Sequence, residues 1–369
     1  MTTPDFEIFL VCAPGLETVM AEEAAVLGFS PTEILAGGVQ IRGNWPDVWR
    51  ANLELRGATR VLARIGSFRA FHLAQLDKRA RKFPWAETLR ADVPVRVEVT
   101  CRKSKIYHKG AAAQRIERAL SESLGVSIAE DAPVQLKVRI EDDLCTFSVD
   151  TSGASLHKRG HKAAVGKAPM RETMAAAFLR KCGYDGTEPV LDPMCGSGTF
   201  VIEAAEIAAG LQPGRARDFA FEHLSTHDAS SLAALRRTVG TPTDVRFHGS
   251  DRDAGAIRMS EANADRAGVA DWTRFQTCPA SEIKRPDGPP GLVIVNPPYG
   301  ARIGNRKPLF ALHDSLGRAL KDRFSGWRVG IVTSDKGLAK STGLPFRPVD
   351  PPVAHGGLKV TLFQTDPLP

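Results

Sequence analysis

Three short apolar segments in the C-terminal half of the chain each run directly into an unusual polar loop. The segments VLDPMCGSGTF, HGSDRDAGAI and VIVNPPYG begin at residues 190, 248 and 293. Between and after them, amphipathic segments with a helical period alternate with further short apolar runs. All-apolar strands separated by amphipathic helices predict a doubly wound parallel α/β sheet. Ligands of such sheets bind at the carboxyl ends of the strands, where all three loops are expected to lie.

The first loop combines a glycine-rich turn with the start of a helix. Its strand is expected to end at Asp192, and Gly196 and Gly198 would let the backbone approach a ligand closely. A helix beginning near Ser197 would add unpaired backbone N–H groups. A nicotinamide oxidoreductase is disfavoured because Val201 occupies the third glycine position of the G-x-G-x-x-G pattern.

The second loop supplies a carboxylate. Asp251 is expected to close its strand, where it could accept hydrogen bonds from a ribose diol, and Asp253 is the expected cap of the next helix. Asp251 lies much further along the chain from the first loop than in the simplest dinucleotide folds. An insertion of about residues 210–244 is therefore expected between the two loops.

The third loop is stiff, polar and aromatic. Pro297 lacks an N–H group, Pro298 fixes the next φ angle, and both leave carbonyl oxygens outside the strand ladder. Together with the side-chain oxygen of Asn296 they would form a rigid set of acceptors beside the flat face of Tyr299. Such a set suits a planar group that carries an NH2, because the acceptors take its hydrogens while the ring stacks on it.

The N-terminal part of the chain predicts smaller α+β units and carries the positive charge. Residues 61–170 contain 20 Lys and Arg against 12 Asp and Glu, in a chain of net charge +7. A basic surface attracts polyanions without identifying them, and an ordinary solvated face is the open alternative. The stretch 155–170, rich in Gly, Lys and His without apolar periodicity, predicts a linker.

Cysteine spacing and hydropathy argue against several classes of protein. The six cysteines include no C-x-x-C pair, so neither a zinc site nor a disulfide framework is indicated. No run of about 18 apolar residues suggests a membrane span, and a cytoplasmic location is expected. We therefore expect neither a metal nor a membrane among the partners.

The motifs DPMCGSGTF, SDRD and NPPYG, in this order at strand ends, resemble those of class I S-adenosylmethionine-dependent methyltransferases that act on nitrogen. More narrowly, the chain resembles the THUMP-domain RNA guanine-N2 methyltransferases, in particular the bacterial type that acts on 23S ribosomal RNA. The resemblance covers essentially the whole chain and is carried also by LHKRGHKAAVGKAPMRETMAAAFL, CRKSKIYHKGAAAQRI and IAAGLQPGRARDFAFEHL. It implies an α/β fold with a ferredoxin-like domain (1–64), a THUMP RNA-binding domain (65–160) and a Rossmann-like methyltransferase domain (161–369).

The same resemblance implies roles for individual residues. The cofactor S-adenosylmethionine would be bound by Arg171, Glu172, Asp192, Cys195, Gly196, Gly198, Thr199, Asp251 and Asn296. The catalytic loop would consist of Asn296, Pro297, Pro298 and Tyr299, and the RNA would be bound by Arg102, Lys103, Lys105, Lys109 and Arg302. In one departure, Pro279 occupies the position of the family's adenine-binding acid. Either Ser281 or the backbone of residues 278–280 replaces that acid, or adenine recognition is weaker.

The expected reaction is methylation of the exocyclic N2 amine of a guanine in RNA, with 23S ribosomal RNA as the expected substrate. A tRNA guanine-N2 or nucleic-acid adenine-N6 methyltransferase stays open, because NPPY is shared with adenine and glutamine methyltransferases. A non-catalytic RNA-binding protein is the third alternative, against which the intact Gly196, Gly198, Asp251 and NPPY count. A carbon-5 pyrimidine methyltransferase is disfavoured because residues 291–307 contain no cysteine nucleophile.

Overall fold

A computed structural model describes residues 5–162, 170–298 and 307–369 of the chain. The chain divides into two compact units, and each unit is assembled from separate stretches of sequence. The first unit contains residues 1–12, 20–156 and 217–236, and the second contains residues 13–19, 157–216 and 237–369. The division into three domains at residues 64 and 160 stays a prediction.

The first unit is built on a mixed sheet of seven strands. The strands are β1 (Phe6–Val11), β2 (Pro31–Leu35), β3 (Gly38–Gly43), β4 (Arg60–Arg69), β5 (Val95–Arg102), β6 (Val134–Glu141) and β7 (Leu144–Asp150). They lie in the order β2-β3-β1-β4-β7-β6-β5, and all neighbours are antiparallel except β5 and β6. The helices are α1 (Glu17–Val26), whose first three residues are counted with the second unit, α2 (Trp45–Glu54), α3 (Leu73–Ala80) and α4 (Lys109–Leu124).

The second unit is the doubly wound sheet that the alternating pattern predicts. Its strands are β8 (Val190–Asp192), β9 (Phe247–Asp251), β10 (Thr273–Thr277), β11 (Leu292–Val295), β12 (Arg328–Thr333), β13 (Val353–His355) and β14 (Leu358–Gln364). The helices are α5 (Glu172–Lys181), α6 (Thr199–Ala208), α8 (Ala254–Ala267), α9 (Lys307–Arg323) and α10 (Lys336–Ser341).

The strand order β10-β9-β8-β11-β12-β14-β13 places the reversal of winding between β8 and β11. The strands from β10 to β12 run parallel, whereas β14 runs antiparallel to β12. The carboxyl ends of β8, β9 and β11 therefore meet at one edge, with the switch point between two of them. None of the helices in the described ranges is long and apolar enough to cross a membrane.

Part of the predicted insertion belongs to the first unit. Residues 217–236, which include helix α7 (Ala229–Leu235), are counted with that unit. Phe219, Phe221 and Leu232 are buried in its hydrophobic core. The sequence predicts that an insertion exists, but its apolar residues gave no indication of which core they join.

The stretch expected to be a linker is partly fixed by buried charges. Arg159 is only 2% exposed, and its Nη2 lies 3.2 Å from Oε1 of the buried Glu203 on α6. The backbone oxygen of His161 accepts a hydrogen bond of 2.7 Å from Arg266 on α8. The expected linker character therefore does not hold for these residues, and residues 163–169 lie outside the described ranges.

We expect the replacement of Arg159 by methionine to destabilise the second unit by about 3–5 kcal/mol, because Glu203 would stay buried without this cation. Urea denaturation of the full chain measures the loss. The double variant Arg159→Met, Glu203→Leu should recover a large part of it, since both charges are then removed. A single variant as stable as the wild type would show that the pair contributes nothing.

Candidate functional site

The glycine turn between β8 and α6 uses two left-handed residues for different purposes. Gly196 has a φ of +56°, and a Cβ placed on it would meet no described atom within 4 Å. Gly198 has a φ of +82°, and a Cβ there would approach Ile202 and Ser260 at 3.2 Å. Gly196 thus leaves open space above the turn, whereas Gly198 permits close packing. Helix α6 begins at Thr199 rather than near Ser197, because Gly198 is its left-handed N-cap.

Two polar side chains of α8 hold the backbone of this turn. Ser260 Oγ donates to the backbone oxygen of Gly196 at 2.9 Å, and Asn263 Nδ2 donates to that of Ser197 at 3.0 Å. Both side chains are fully buried. These two residues were not among the predicted site residues, although a serine and an asparagine on the otherwise apolar inner face of α8 were a usable signal.

Asp251 connects the end of β9 to the turn. Its Oδ2 accepts from the backbone N–H of Gly196 at 3.1 Å, and its Oδ1 accepts from that of Asp253 at 3.0 Å. Asp253 caps α8 as expected, accepting from the N–H of Gly255. A carboxylate has about four acceptor positions, so Asp251 retains capacity for a diol. The ribose contact itself stays a prediction.

A second carboxylate lies buried beside the first. Asp192, at the end of β8, is 2% exposed, and its Oδ1 accepts from the N–H of Met194 at 3.0 Å. Burial raises the pKa of Asp192 to about 8, and the charge of Asp251 adds to this effect. Burial likewise raises the pKa of the Cys195 thiol well above its ordinary value. Asp192 is therefore mostly protonated near pH 7 without a ligand, and a cationic ligand beside it would lower its pKa and favour the ionised form.

The starts of α5 and α6 are joined by a lysine that was not among the predicted site residues. Lys162 Nζ lies 3.1 Å from Oε1 of Glu172 and donates to Oγ1 of Thr199 at 2.7 Å. These residues line a cleft together with His161, Ser197, Ile202 and Glu203. Arg171 is exposed and is the N-cap residue of α5. Lys162 therefore brings Glu172 and Thr199 together. Its contacts with these two residues depend on the fold and could not be predicted from the sequence.

Asn296 follows β11 at the same edge of the sheet. Parallel pairing of Leu292 with Val190 aligns β11 with β8, so that both strands end toward the glycine turn. The Oδ1 atom of Asn296 is buried and accepts no hydrogen bond from any residue that the structure describes. Pro297 is buried and Pro298 is exposed. The predicted residues Tyr299 and Arg302 lie outside the described residues.

The loop after β10 contains Pro279, which occupies the expected position of the adenine-binding acid. The backbone N–H of Cys278 donates to the oxygen of Asp251 at 2.9 Å, so this donor is already engaged. Pro279 and Ser281 are both exposed. The way in which adenine is recognised stays a prediction.

The remaining predicted residues belong to the first unit. Arg102 ends β5, Lys103 and Lys105 follow it, and Lys109 begins α4. All four side chains are exposed. No group of three or more His, Cys, Asp or Glu suited to a metal ion occurs among the described residues.

The fold and the three loops define an S-adenosylmethionine-dependent methyltransferase of class I. The described residues leave space beside Gly196 for a ligand, and Asp192 would be ionised by a ligand that carries positive charge beside its nucleoside. A family model described as an RMKL-like methyltransferase domain matches residues 159–345, and a model of the RlmL ferredoxin-like domain matches residues 7–62. The chain therefore belongs to the RMKL-like methyltransferase family, which confirms the resemblance seen in the sequence.

Individual relatives agree with this assignment. Ribosomal RNA large subunit methyltransferase K/L of Psychromonas ingrahamii is 31% identical over 352 residues, which are 91% of this chain and 47% of that protein. The chain thus spans about half the length of this curated relative. A protein of Clostridium difficile 630 described as a possible methylase is 27% identical, with a TM-score of 0.87 over 99% of both chains. The methyltransferase SMU.472, solved with S-adenosylhomocysteine, is 27% identical, with a TM-score of 0.85 over 100% of this chain and 99% of that one.

We expect Gly196→Ala to weaken S-adenosylmethionine binding by about 5- to 100-fold, because its methyl group enters space that the ligand needs. Gly210→Ala is the matched control, since Gly210 also has a left-handed φ (+63°) with open space around it, beyond the other end of α6. Both variants should lose about 1–2 kcal/mol of stability from backbone strain. Calorimetric titration that gave equal affinities for the two variants would contradict the assignment of the turn.

A second prediction concerns Asp192 in the protein without ligand. Its pKa is raised from 3.8 to about 8, so the folded state holds this proton more tightly than the unfolded state does. Between these two values a rise in pH therefore costs the wild type stability through this group. The Asp192→Asn variant lacks this contribution. Its melting temperature should therefore fall less between pH 5 and pH 8.5 than that of the wild type. Parallel pH profiles of wild type and variant would show that Asp192 does not titrate in this window.

Proposed function

We propose that the protein methylates the exocyclic N2 amine of a guanine in RNA, with large-subunit ribosomal RNA as the substrate. The observation that carries this proposal is the buried Oδ1 atom of Asn296, which has no hydrogen-bond donor among the described residues. A buried acceptor costs free energy unless it is paired, so a ligand N–H is the natural partner. The name of the 31% identical relative, a ribosomal RNA large subunit methyltransferase, supports RNA as the substrate class.

The residues of the third loop would bind and orient the amine. Asn296 Oδ1 would accept one amine hydrogen, which directs the nitrogen lone pair and stabilises positive charge as it develops there. Pro297 has no N–H that could compete for this acceptor, and its burial fixes the end of β11. Tyr299 is proposed, from its place in the motif, to stack on the extruded base.

The residues of the first two loops would hold the cofactor. When bound, S-adenosylmethionine supplies a methyl group already activated on a positively charged sulfur. That charge would lower the pKa of Asp192 and pair with its ionised form, Gly196 would leave room for the ligand, and Asp251 would accept from its ribose. Glu172, Thr199 and Lys162 line a cleft with room for about one water molecule, and Glu172 is proposed from its place in the motif to contact the charged amino-acid end. The contribution of the chain is then mainly proximity and orientation of two bound reactants.

Replacement of Asn296 by alanine tests the proposed function. Turnover on unmodified large-subunit RNA should fall by about 100-fold or more, because a contact that strengthens in the transition state is lost. Affinity for S-adenosylmethionine should change little. Asn296→Asp is the matched variant, since it keeps an acceptor oxygen, and it should retain more activity than Asn296→Ala. Mass spectrometry of the nucleosides after incubation should detect N2-methylguanine.

Each alternative gives a different result in this assay. N6-methyladenine as the only product would overturn the guanine assignment but keep the role of the loop. Product on tRNA but not on large-subunit RNA would overturn the substrate. Full activity of Asn296→Ala would refute the mechanism, and an inactive wild type that binds RNA would favour a non-catalytic binding protein.

A further inference from the structure

Two aromatic side chains are exposed at one end of the first unit's sheet. Tyr107, between β5 and α4, is 83% exposed, and Phe71, just after β4, is 42% exposed. Single exposed apolar residues are ordinary on protein surfaces. These two differ because of their surroundings, which are cationic rather than apolar.

The segment that carries Tyr107 is held in place on both sides. Before it, the N–H of Lys105 donates to Oδ1 of Asp143 at 2.8 Å, and Ser104 Oγ accepts from the N–H of Asp143 at 3.0 Å. After it, the side chain of His108 caps α4. Ile106 is buried, whereas Lys105 and Tyr107 on either side of it are exposed. A ring presented by a fixed segment loses less conformational entropy when it binds a ligand.

A cation contacts the Phe71 ring, and Tyr107 lies between Lys105 and Lys109 in the chain. Lys105 Nζ lies 5.0 Å from the centroid of the Phe71 ring, within the range of a cation–π contact. Lys103, Lys105 and Lys109 form no ion pair with any residue in the described ranges.

Three acids of the β6–β7 turn lie nearby, and they reduce this charge only in part. Glu141 lies 3.6 Å from Arg102, and Asp142 accepts from Arg69 through its backbone oxygen. The carboxylate of Asp143 accepts from the backbone of Lys105. The lysine charges therefore remain available to an anion.

We propose that this surface binds single-stranded RNA, with an unpaired base stacked on Tyr107 and the neighbouring cations on the phosphates. The surface consists of Phe71, Arg102, Lys103, Lys105, Tyr107 and Lys109, and is called here the Tyr107 surface. The proposal rests on the proposed function, because it takes RNA as the substrate. It goes further in assigning the contact to unpaired nucleotides.

The combination of exposed rings and cations favours single-stranded RNA over duplex RNA and over an apolar protein partner. In a duplex the bases stack on one another, so a protein reaches phosphates and 2′-hydroxyls but not the base faces. Exposed aromatic rings beside a cationic track are instead the arrangement that binds single strands. An apolar protein partner would require a contiguous apolar patch, whereas Tyr107 lies in the chain between the exposed polar residues Lys105 and Lys109.

Binding of the full-length protein to two RNA probes tests this inference. The probes are an unstructured 12-nucleotide RNA and a 12-base-pair RNA duplex, followed by fluorescence anisotropy at several salt concentrations. Tyr107→Ala should weaken binding of the single strand about 5- to 100-fold and leave the duplex unchanged, since stacking on one base is lost. Tyr107→Phe keeps the ring and should bind within about twofold of the wild type.

The salt dependence separates the rings from the cations. Tyr107→Ala should keep the salt slope of the wild type, whereas Lys109→Ala should reduce it by about 0.7 if it loses one phosphate contact. Wild-type affinity of Tyr107→Ala for the single strand would overturn the proposal. An equal loss on both probes would overturn it as well, because the surface would then bind any polyanion.

Failure of this inference can be told apart from failure of the proposed function. Unchanged thermal stability and S-adenosylmethionine affinity of Tyr107→Ala establish that the variant is folded. If the wild type forms N2-methylguanine while Tyr107→Ala binds the single strand normally, only the present inference fails. If Tyr107→Ala loses single-strand binding while no N2-methylguanine forms, only the proposed function fails.

Discussion

The hydrogen bond from the N–H of Gly196 to the carboxylate of Asp251 connects the glycine turn to the end of β9, and the proposed cofactor site depends on it. A turn with two left-handed glycines belongs to no helix or strand, so its backbone groups need partners from elsewhere. The end of β9 supplies two partners, the backbone oxygen of Ser250 for the N–H of Cys195 and the carboxylate of Asp251. Ser260 and Asn263 on α8 supply two more. The turn is therefore shaped before any ligand binds, and less conformational entropy is lost on binding.

Two buried glutamates of α6 form ion pairs with arginines that precede and follow this helix in the chain. Glu203 and Glu206 are both buried in this helix. Arg159 pairs with the first, and Arg215 donates to the second at 2.5 Å. Burial lowers the pKa of His161, which lies beside Glu206, so this ring is neutral near pH 7. The segments on either side of the helix are thus held by ion pairs that would be costly to break.

The sequence predicted features that are encoded locally. The strand ends at Asp192, Asp251 and Val295 follow from short apolar runs that stop at polar loops, and the structure has them there. It could not predict pairs between distant residues, such as Arg159 with Glu203, because periodicity carries no information about them. Nor did it show that β4 pairs with β1 on one side and β7 on the other, so that one sheet includes strands from both expected N-terminal domains.

Each unit is assembled from separate stretches of the chain, so a truncation cannot separate the contributions of the two units to RNA binding. Removal of the first 160 residues would take away Arg159 and leave Glu203 without this partner in the second unit. It would also remove most of the core in which Phe219, Phe221 and Leu232 are buried. A loss of RNA binding in such a truncated chain could then reflect unfolding rather than a lost contact. Single substitutions at exposed residues of the intact protein avoid this ambiguity, because they change one contact and leave both cores complete.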